Sequence, residues 1–303
     1  MTSNDSDSIR KQMQSGYVFK NGPFNLSLKT NESNVLESFT RLYPASQSIS
    51  ESEFIDFHIT IQCPSVLRRF YRPQIQFVLD GISPFKPLPR HESFPLFEWG
   101  LNWCVATHAH QYFMLHAAVL EKNGLAVIMP APPGSGKSTL CAEMAFSGWR
   151  LLSDEFALIN HDTLTLTPFV RPISLKNASI DIVTQRHSDA VVGSIVHNTS
   201  KGSVAHLRPL DKWFSRQDET AIPKWVIFPR YQPAAKIATS KLTKAHGMMN
   251  IISNSFNYAE LGSLGFKLAE RLTEICDFYD LTYSNLDEAM DFFNTLSASA
   301  EGK

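Results

Sequence analysis

The chain has 303 residues, 43% of them hydrophobic, which is enough for one large domain or two small ones around a substantial core. Its 28 basic and 29 acidic residues leave a formal charge of -1, so no basic surplus marks nucleic acid or a membrane surface as an expected partner. Cys63, Cys104, Cys141 and Cys276 lie far apart with no histidine at ligand spacing, which excludes a zinc motif and fits reduced thiols in a cytoplasmic protein.

Residues 1–16 are rich in Ser, Asp and Gln and lack the apolar core of a signal peptide. They are expected to be disordered. No later stretch approaches the roughly 20 apolar residues that span a bilayer. Residues 17–110 form the first expected region. Its signals are short strands such as Phe24–Leu28 and Phe57–Ile61, broken by Asn, Pro and Gly, and then a connecting helix over about 94–110.

Residues 111–303 form the second. A strand over 113–120, a turn at 121–124 and an apolar strand over 125–129 lead directly into Ala131-Pro132-Pro133-Gly134-Ser135-Gly136-Lys137-Ser138. A short helix over 139–147 follows and stops at Gly148. Strand, glycine loop and helix, in that order, is the arrangement of a Walker A loop. Next come a strand at Arg150–Ser153, the acid pair Asp154-Glu155, and a β-hairpin formed by 156–159 and 163–167. The common P-loop switches and ATPases continue instead with alternating strands and helices, so the hairpin points away from them. A central strand at 224–228, helices over about 243–253 and 258–277, a late strand at 279–283 and a capping box at Ser284–Asp287 complete a mixed α/β core.

The chemistry follows from what a triphosphate needs. Backbone N–H groups at a helix N-terminus, with small residues that let the main chain approach, answer its negative charge. Pro133, Gly134, Ser135, Gly136, Lys137, Ser138 and Thr139 are the expected nucleotide-binding residues. Lys137 faces the β/γ-phosphates and the Ser138 hydroxyl is placed for Mg²⁺. Ala131 stands where the strict motif has Gly, which is tolerable if that residue keeps ordinary backbone angles. Asp154 and Glu155 end the strand after the loop helix, at the sheet edge where ligands collect. Asp154 is the expected base for an attacking hydroxyl and Glu155 the expected second metal ligand; the alternative is a solvated turn. His116 is either a third member of the site or a satisfied core histidine. Arg171 is a candidate for stabilising charge on the transferring group, with Lys176 beside it, and either is equally a surface ion-pair partner. Lys201–Ser203 is a candidate closing loop or an ordinary solvated one, and His206 and Arg208 are weaker candidates still.

From Leu115 to Ile159 these residues resemble the HPr kinase/phosphorylase family. Arg171–Lys176, Lys201-Gly202 and Phe228-Pro229-Arg230-Tyr231 look like its HPr-kinase-related type A subgroup. The resemblance implies a P-loop kinase domain like the nucleotide domain of phosphoenolpyruvate carboxykinase. It also implies a base at Asp154, a strand histidine at His116 near the phosphate, and association with a small PqqD-like peptide-binding protein. Three departures stand out: Ala117 in place of Gly, Glu155 in place of Asp, and no following Gly-rich signature. They direct the expected acceptor away from HPr itself. The expected function is an ATP- and Mg²⁺-dependent kinase that phosphorylates a serine-like hydroxyl of a protein, peptide or small molecule. The rival is a nucleotide-dependent switch with no acceptor; a carboxykinase-like enzyme is disfavoured by chain length.

Overall fold

In the computed structural model, which describes residues 3–43, 49, 53–132 and 134–301, the chain begins with helix α1 (Ser3–Ser15) rather than a disordered segment. Ile9 and Met13, four apart on that helix, are buried, so one apolar stripe is enough to dock it. Strands β1 (Tyr17–Asn21) and β2 (Phe24–Thr30) follow as an antiparallel pair. Helix α2 (Ser33–Leu42) buries Val35, Phe39 and Leu42 and carries the chain to β3 (Phe57–Gln62), parallel to β2. A single helical turn, α3 (Val66–Phe70), then β4 (Gln74–Leu79), β5 (Leu88–Pro89) and α4 (Ser93–His108) complete this stretch.

The second stretch runs β6 (Tyr112–Lys122), β7 (Leu125–Pro130), α5 (Lys137–Phe146), β8 (Arg150–Ser153), β9 (Phe156–Asn160) and β10 (Leu166–Thr167). It continues through β11 (Ile173–Lys176), α6 (Ala178–Arg186), β12 (Val196–Thr199), β13 (Gly202–Leu207) and α7 (Asp211–Phe214). The last part is β14 (Ile222–Tyr231), β15 (Ala238–Lys241), α8 (Lys244–Ser253), α9 (Tyr258–Leu261), α10 (Ser263–Ile275), β16 (Asp277–Tyr283) and α11 (Leu286–Glu301). The helix expected over 258–277 is broken at Gly262, whose φ of 55° and ψ of -123° no helix accommodates. The last helix takes its cap from Asn285, whose side chain accepts from the Asp287 N–H at 2.7 Å, while Ser284 Oγ donates to Ala235 O.

Two compact units result, and their boundary differs from the expected one at 110/111. Met1–His108, Arg171–Thr184 and Ser188–Ser215 form the first; Ala109–Val170, Gln185–His187 and Arg216–Lys303 form the second. The first unit holds a five-stranded sheet in order β1-β2-β3-β4-β5 and a three-stranded sheet, β11-β13-β12. The second is a mixed eight-stranded sheet in order β10-β9-β6-β7-β14-β16-β15, with β8 also paired to β6. β7, β14 and β16 run parallel, and β6 is antiparallel to β7. Phe113, Leu115, Ala117, Val119, Ile128, Val226 and Phe278 make a core with Ile251 of α8 and Leu268 and Leu272 of α10. Burial on both faces explains why β6 and β7 read as near-continuous apolar runs. No helix among the described residues is long and apolar enough to cross a membrane.

Candidate functional site

The register of the second sheet gathers the carboxyl ends of several strands at one edge. Pro130, the last residue of β7, lies opposite Ala117, and Ser153, the last of β8, lies opposite Val119. β9 pairs with the same side of β6, with Phe156 opposite His116. β8 and β9 are therefore one line of pairing along β6, with a register shift between Leu151 and Ser153 and a break between the two strands at Asp154-Glu155, where the Glu155 carbonyl still accepts from Ala117 N–H. Ser153 Oγ fixes that interruption by accepting from the N–H groups of Glu155 at 3.3 Å and Phe156 at 3.0 Å. The acid pair is a built kink, with Asp154 buried and Glu155 partly exposed.

From the end of β7 the chain passes through the glycine loop into α5. Ala131 is buried and has no positive φ, so the missing glycine costs nothing in backbone strain. Gly134 and Gly136 both take φ of 86°, in the left-handed region, and Gly136 is the N-terminal cap residue of α5. The loop is clamped from the far strands: Tyr231 N–H donates to Ser135 O at 2.8 Å and Tyr283 Oη to Gly136 O at 3.2 Å. A Cβ on Gly136 would overlap the Tyr283 hydroxyl and stand 2.9 Å from Tyr231 Cβ. Pro133 lies outside the described residues.

Lys137, the first residue of α5, is buried, and its Nζ lies 3.9 Å from Glu155 Oε2. The same carboxylate oxygen is 2.9 Å from His116 Nε2. His116 is held in turn by its own backbone N–H, which donates to Asn254 O at 2.8 Å, and by the Phe256 ring, 5.6 Å between centroids. Buried Asn257 completes this support. Its Oδ1 accepts from Met114 N–H and its Nδ2 donates to Tyr112 O, which continues β6's pairing where β7 has ended. The structure thus brings His116, Lys137 and Glu155 together at the edge where β8 gives way to Asp154. One turn along α5 is the buried Cys141. Burial and then the Asp154 carboxylate push its thiol well above the usual range, while Lys137 pulls the other way. Ser138 and Thr139 are partly exposed on the first turn of α5.

Helix α5 itself is tied down through Glu143. Its carboxylate accepts from Arg186 at 2.8 and 3.0 Å and pairs with His187 Nε2 at 3.1 Å. Burial works to raise the Glu143 pKa, but the hydrogen bonds from Arg186 and His187 outweigh it and lower the value.

The remaining candidates lie in the first unit. Arg171 is buried with its guanidinium 3.4 Å from Glu98 and hydrogen-bonded to Asn102, and Glu98 also accepts from Tyr43 Oη at 2.7 Å. This is an internal ion pair of that unit. Lys176 ends β11. Lys201–Ser203 is the turn and start of the β12–β13 hairpin, with Lys201 Nζ 4.7 Å over the Trp99 ring. His206 is buried edge-on to Phe94, and Arg208 pairs with Asp211 at 2.7 Å. A cavity of about 380 Å³ in this unit, lined by Leu42, His91, Phe94, Ile195 and His206 among others, contains none of the loop or acid-pair residues.

Sequence reasoning passed over Tyr231, Tyr283, Asn254 and Asn257, which support the site from later in the chain. Phe228–Tyr231 carried a signal for the first of these; single asparagines carry none. No protein-family model matches the chain, and no curated protein is similar enough to it to match.

Proposed function

We propose that this protein is an ATP- and Mg²⁺-dependent kinase that transfers the γ-phosphoryl group to a serine-like hydroxyl of a protein, peptide or small molecule, on a P-loop domain of the HPr kinase/phosphoenolpyruvate carboxykinase type. The observation that carries the reading is one carboxylate oxygen, Glu155 Oε2, shared by His116 and Lys137 beside the buried Asp154 and the left-handed glycine loop. A loop that only held phosphate would need the lysine and the helix N-terminus. A base and a metal ligand at the adjoining kink are what phosphoryl transfer adds.

The residues fit a triphosphate and its metal. Ser135 Oγ is buried with no hydrogen-bond partner among the described residues, a donor suited to a phosphate oxygen. No group of three or more His, Cys, Asp or Glu among the described residues is arranged as a metal cage. Mg²⁺ commonly takes one or two protein oxygens and completes its shell with water and phosphate, and the Ser138 hydroxyl and Glu155 would hold it in that way, neutralising charge between the β- and γ-phosphates. Lys137 and the loop amides bind the phosphates. Asp154 accepts the proton of the acceptor hydroxyl as its oxygen bonds to the γ-phosphorus and the bond to the β-phosphate oxygen breaks, releasing ADP. His116 positions Glu155. Arg171 has no part in this set, because Glu98 and Asn102 hold its guanidinium.

The test is incubation of the purified protein with γ-labelled ATP and native lysate, separated into protein and small-molecule fractions, beside Lys137→Ala. Label in one fraction that disappears with the variant supports the proposal. Label in neither fraction, or label that survives the substitution, refutes it.

A further inference from the structure

Holding phosphates does not explain the aromatic residue on which the glycine loop rests. Tyr231 and Tyr283 are register partners on the parallel strands β14 and β16, so their side chains leave the sheet on one face. Tyr283 is buried and serves the loop through its hydroxyl. Tyr231 is 46% exposed, and its ring meets Tyr283 edge-on at 5.8 Å and 70°.

The chain around Tyr231 is locked. Its own N–H bonds Ser135 O, and the next N–H, that of Gln232, bonds Tyr283 O at 2.9 Å. Ala234 takes φ of 59°, and Ser284 Oγ holds Ala235 O. A large aromatic ring is thus mounted beside the first turn of α5 on a hydrogen-bonded backbone, against Tyr283 on one side and about half exposed.

Strand order gives this ring a meaning. Asp154 and Glu155 lie on the β6 side of the loop, since β8 pairs with β6, whereas Tyr231 lies on the β14 side. A nucleotide whose phosphates sit on the loop and whose γ end faces the acid pair must send its base in the opposite direction. We propose that Tyr231 is the stacking platform for the nucleobase, an inference that rests on the nucleotide reading of the loop. Every base has a π face, so such a platform holds adenine and guanine alike, and any preference between ATP and GTP comes from elsewhere.

The experiment measures binding of Mg-ATP, Mg-GTP and Mg-tripolyphosphate to wild type, Tyr231→Phe and Tyr231→Ala by titration calorimetry. The expected result is that wild type and Tyr231→Phe bind both nucleotides more tightly than tripolyphosphate. Tyr231→Ala should weaken both nucleotides by roughly tenfold and leave tripolyphosphate unchanged. Unchanged ATP affinity in Tyr231→Ala overturns the platform, as does tripolyphosphate affinity that falls in step with ATP, because the residue then acts through the loop. Wild type that binds tripolyphosphate as tightly as ATP overturns the platform but keeps the phosphate site. Wild type that binds none of the three overturns the nucleotide reading as well.

Discussion

Replacing Gly136 by alanine tests the geometry of the loop against a control supplied by the same loop. Gly134 and Gly136 share a φ of 86°, so an alanine at either position incurs the left-handed penalty of roughly 1–2 kcal/mol. Their surroundings differ. Nothing lies within 4 Å of a Cβ on Gly134, whereas one on Gly136 overlaps the Tyr283 hydroxyl and stands 2.9 Å from Tyr231 Cβ. Tyr231 Cβ belongs to a paired strand residue and Tyr283 is buried, so neither rotates away freely, and overpacking adds about 1–3 kcal/mol. Gly136→Ala should therefore lie about 1–3 kcal/mol below Gly134→Ala. For a chain of 303 residues unfolding as one, each kcal/mol lowers the melting temperature by roughly 1.5–2 °C. Thermal unfolding followed by circular dichroism on both variants reads the gap. Adding Tyr283→Phe to Gly136→Ala removes one of the two overlaps and should recover part of it, measured against Tyr283→Phe alone. Equal losses at the two glycines, or no recovery in the double variant, would refute the account of the loop as seated on these tyrosines.

Three other predictions follow from the ion pairs and the kink. Asp154→Asn should keep nucleotide affinity and lower the transfer rate by about 100-fold or more; a rate within a few-fold of wild type removes Asp154 from the role of base. Arg171→Met takes the guanidinium away from the buried Glu98 carboxylate and should cost about 3–5 kcal/mol, with much of that loss recovered by adding Glu98→Gln, which still accepts from Tyr43. Transfer per folded molecule should be unchanged in that double variant, and a selective loss of rate would return Arg171 to the reacting set. Glu143, with its pKa lowered in the fold, contributes stability that is fully present above the ordinary glutamate value of about 4.3 and disappears as pH falls through the lowered folded value. The gap in melting temperature between wild type and Glu143→Gln should hold at neutral pH, begin to narrow below the ordinary glutamate value of about 4.3 and close as pH falls through the lowered folded value; a gap independent of pH would mean that the carboxylate's charge does not anchor α5.

The second unit was more legible in the sequence than the first, for physical reasons. β6 and β7 are buried on both faces and read as apolar runs, the loop glycines mark positive φ, and β9 and β10 are antiparallel neighbours either side of a turn that begins at Asn160. In the first unit the signal was there but outweighed. Val35, Phe39 and Leu42 have helical spacing on α2, yet they follow a polar stretch among short strands. Residues 1–16 look like a polar tail because their composition is mostly Ser, Asp, Asn, Gln, Lys and Arg, and among the α1 residues whose side chains are described Ile9 and Met13 alone are core. The grouping of 171–184 and 188–215 with the N-terminal residues rests on contacts between positions far apart in the chain, such as Arg171 with Glu98 and His206 with Phe94, and local pattern carries no such information. Within the site, the loop, Lys137, the acid pair and His116 were all visible. Arg171 was misleading because a charged residue beside a proline looks the same in sequence whether it ends in a reacting site or in a buried pair with Glu98.

The seat beneath Gly136 also bears on when the loop becomes competent. The motif occupies 131–138, but its supports are Tyr231 and Tyr283, contributed by β14 and β16. A chain growing from its N-terminus has the complete motif well before it has either support. Until β14 has paired with β7 and β16 with β14, the left-handed glycines have nothing to hold them and the loop is an ordinary flexible connection. On the proposed nucleotide reading, capture during synthesis waits for the final strand of the sheet, and a bound nucleotide reports that the second unit has closed.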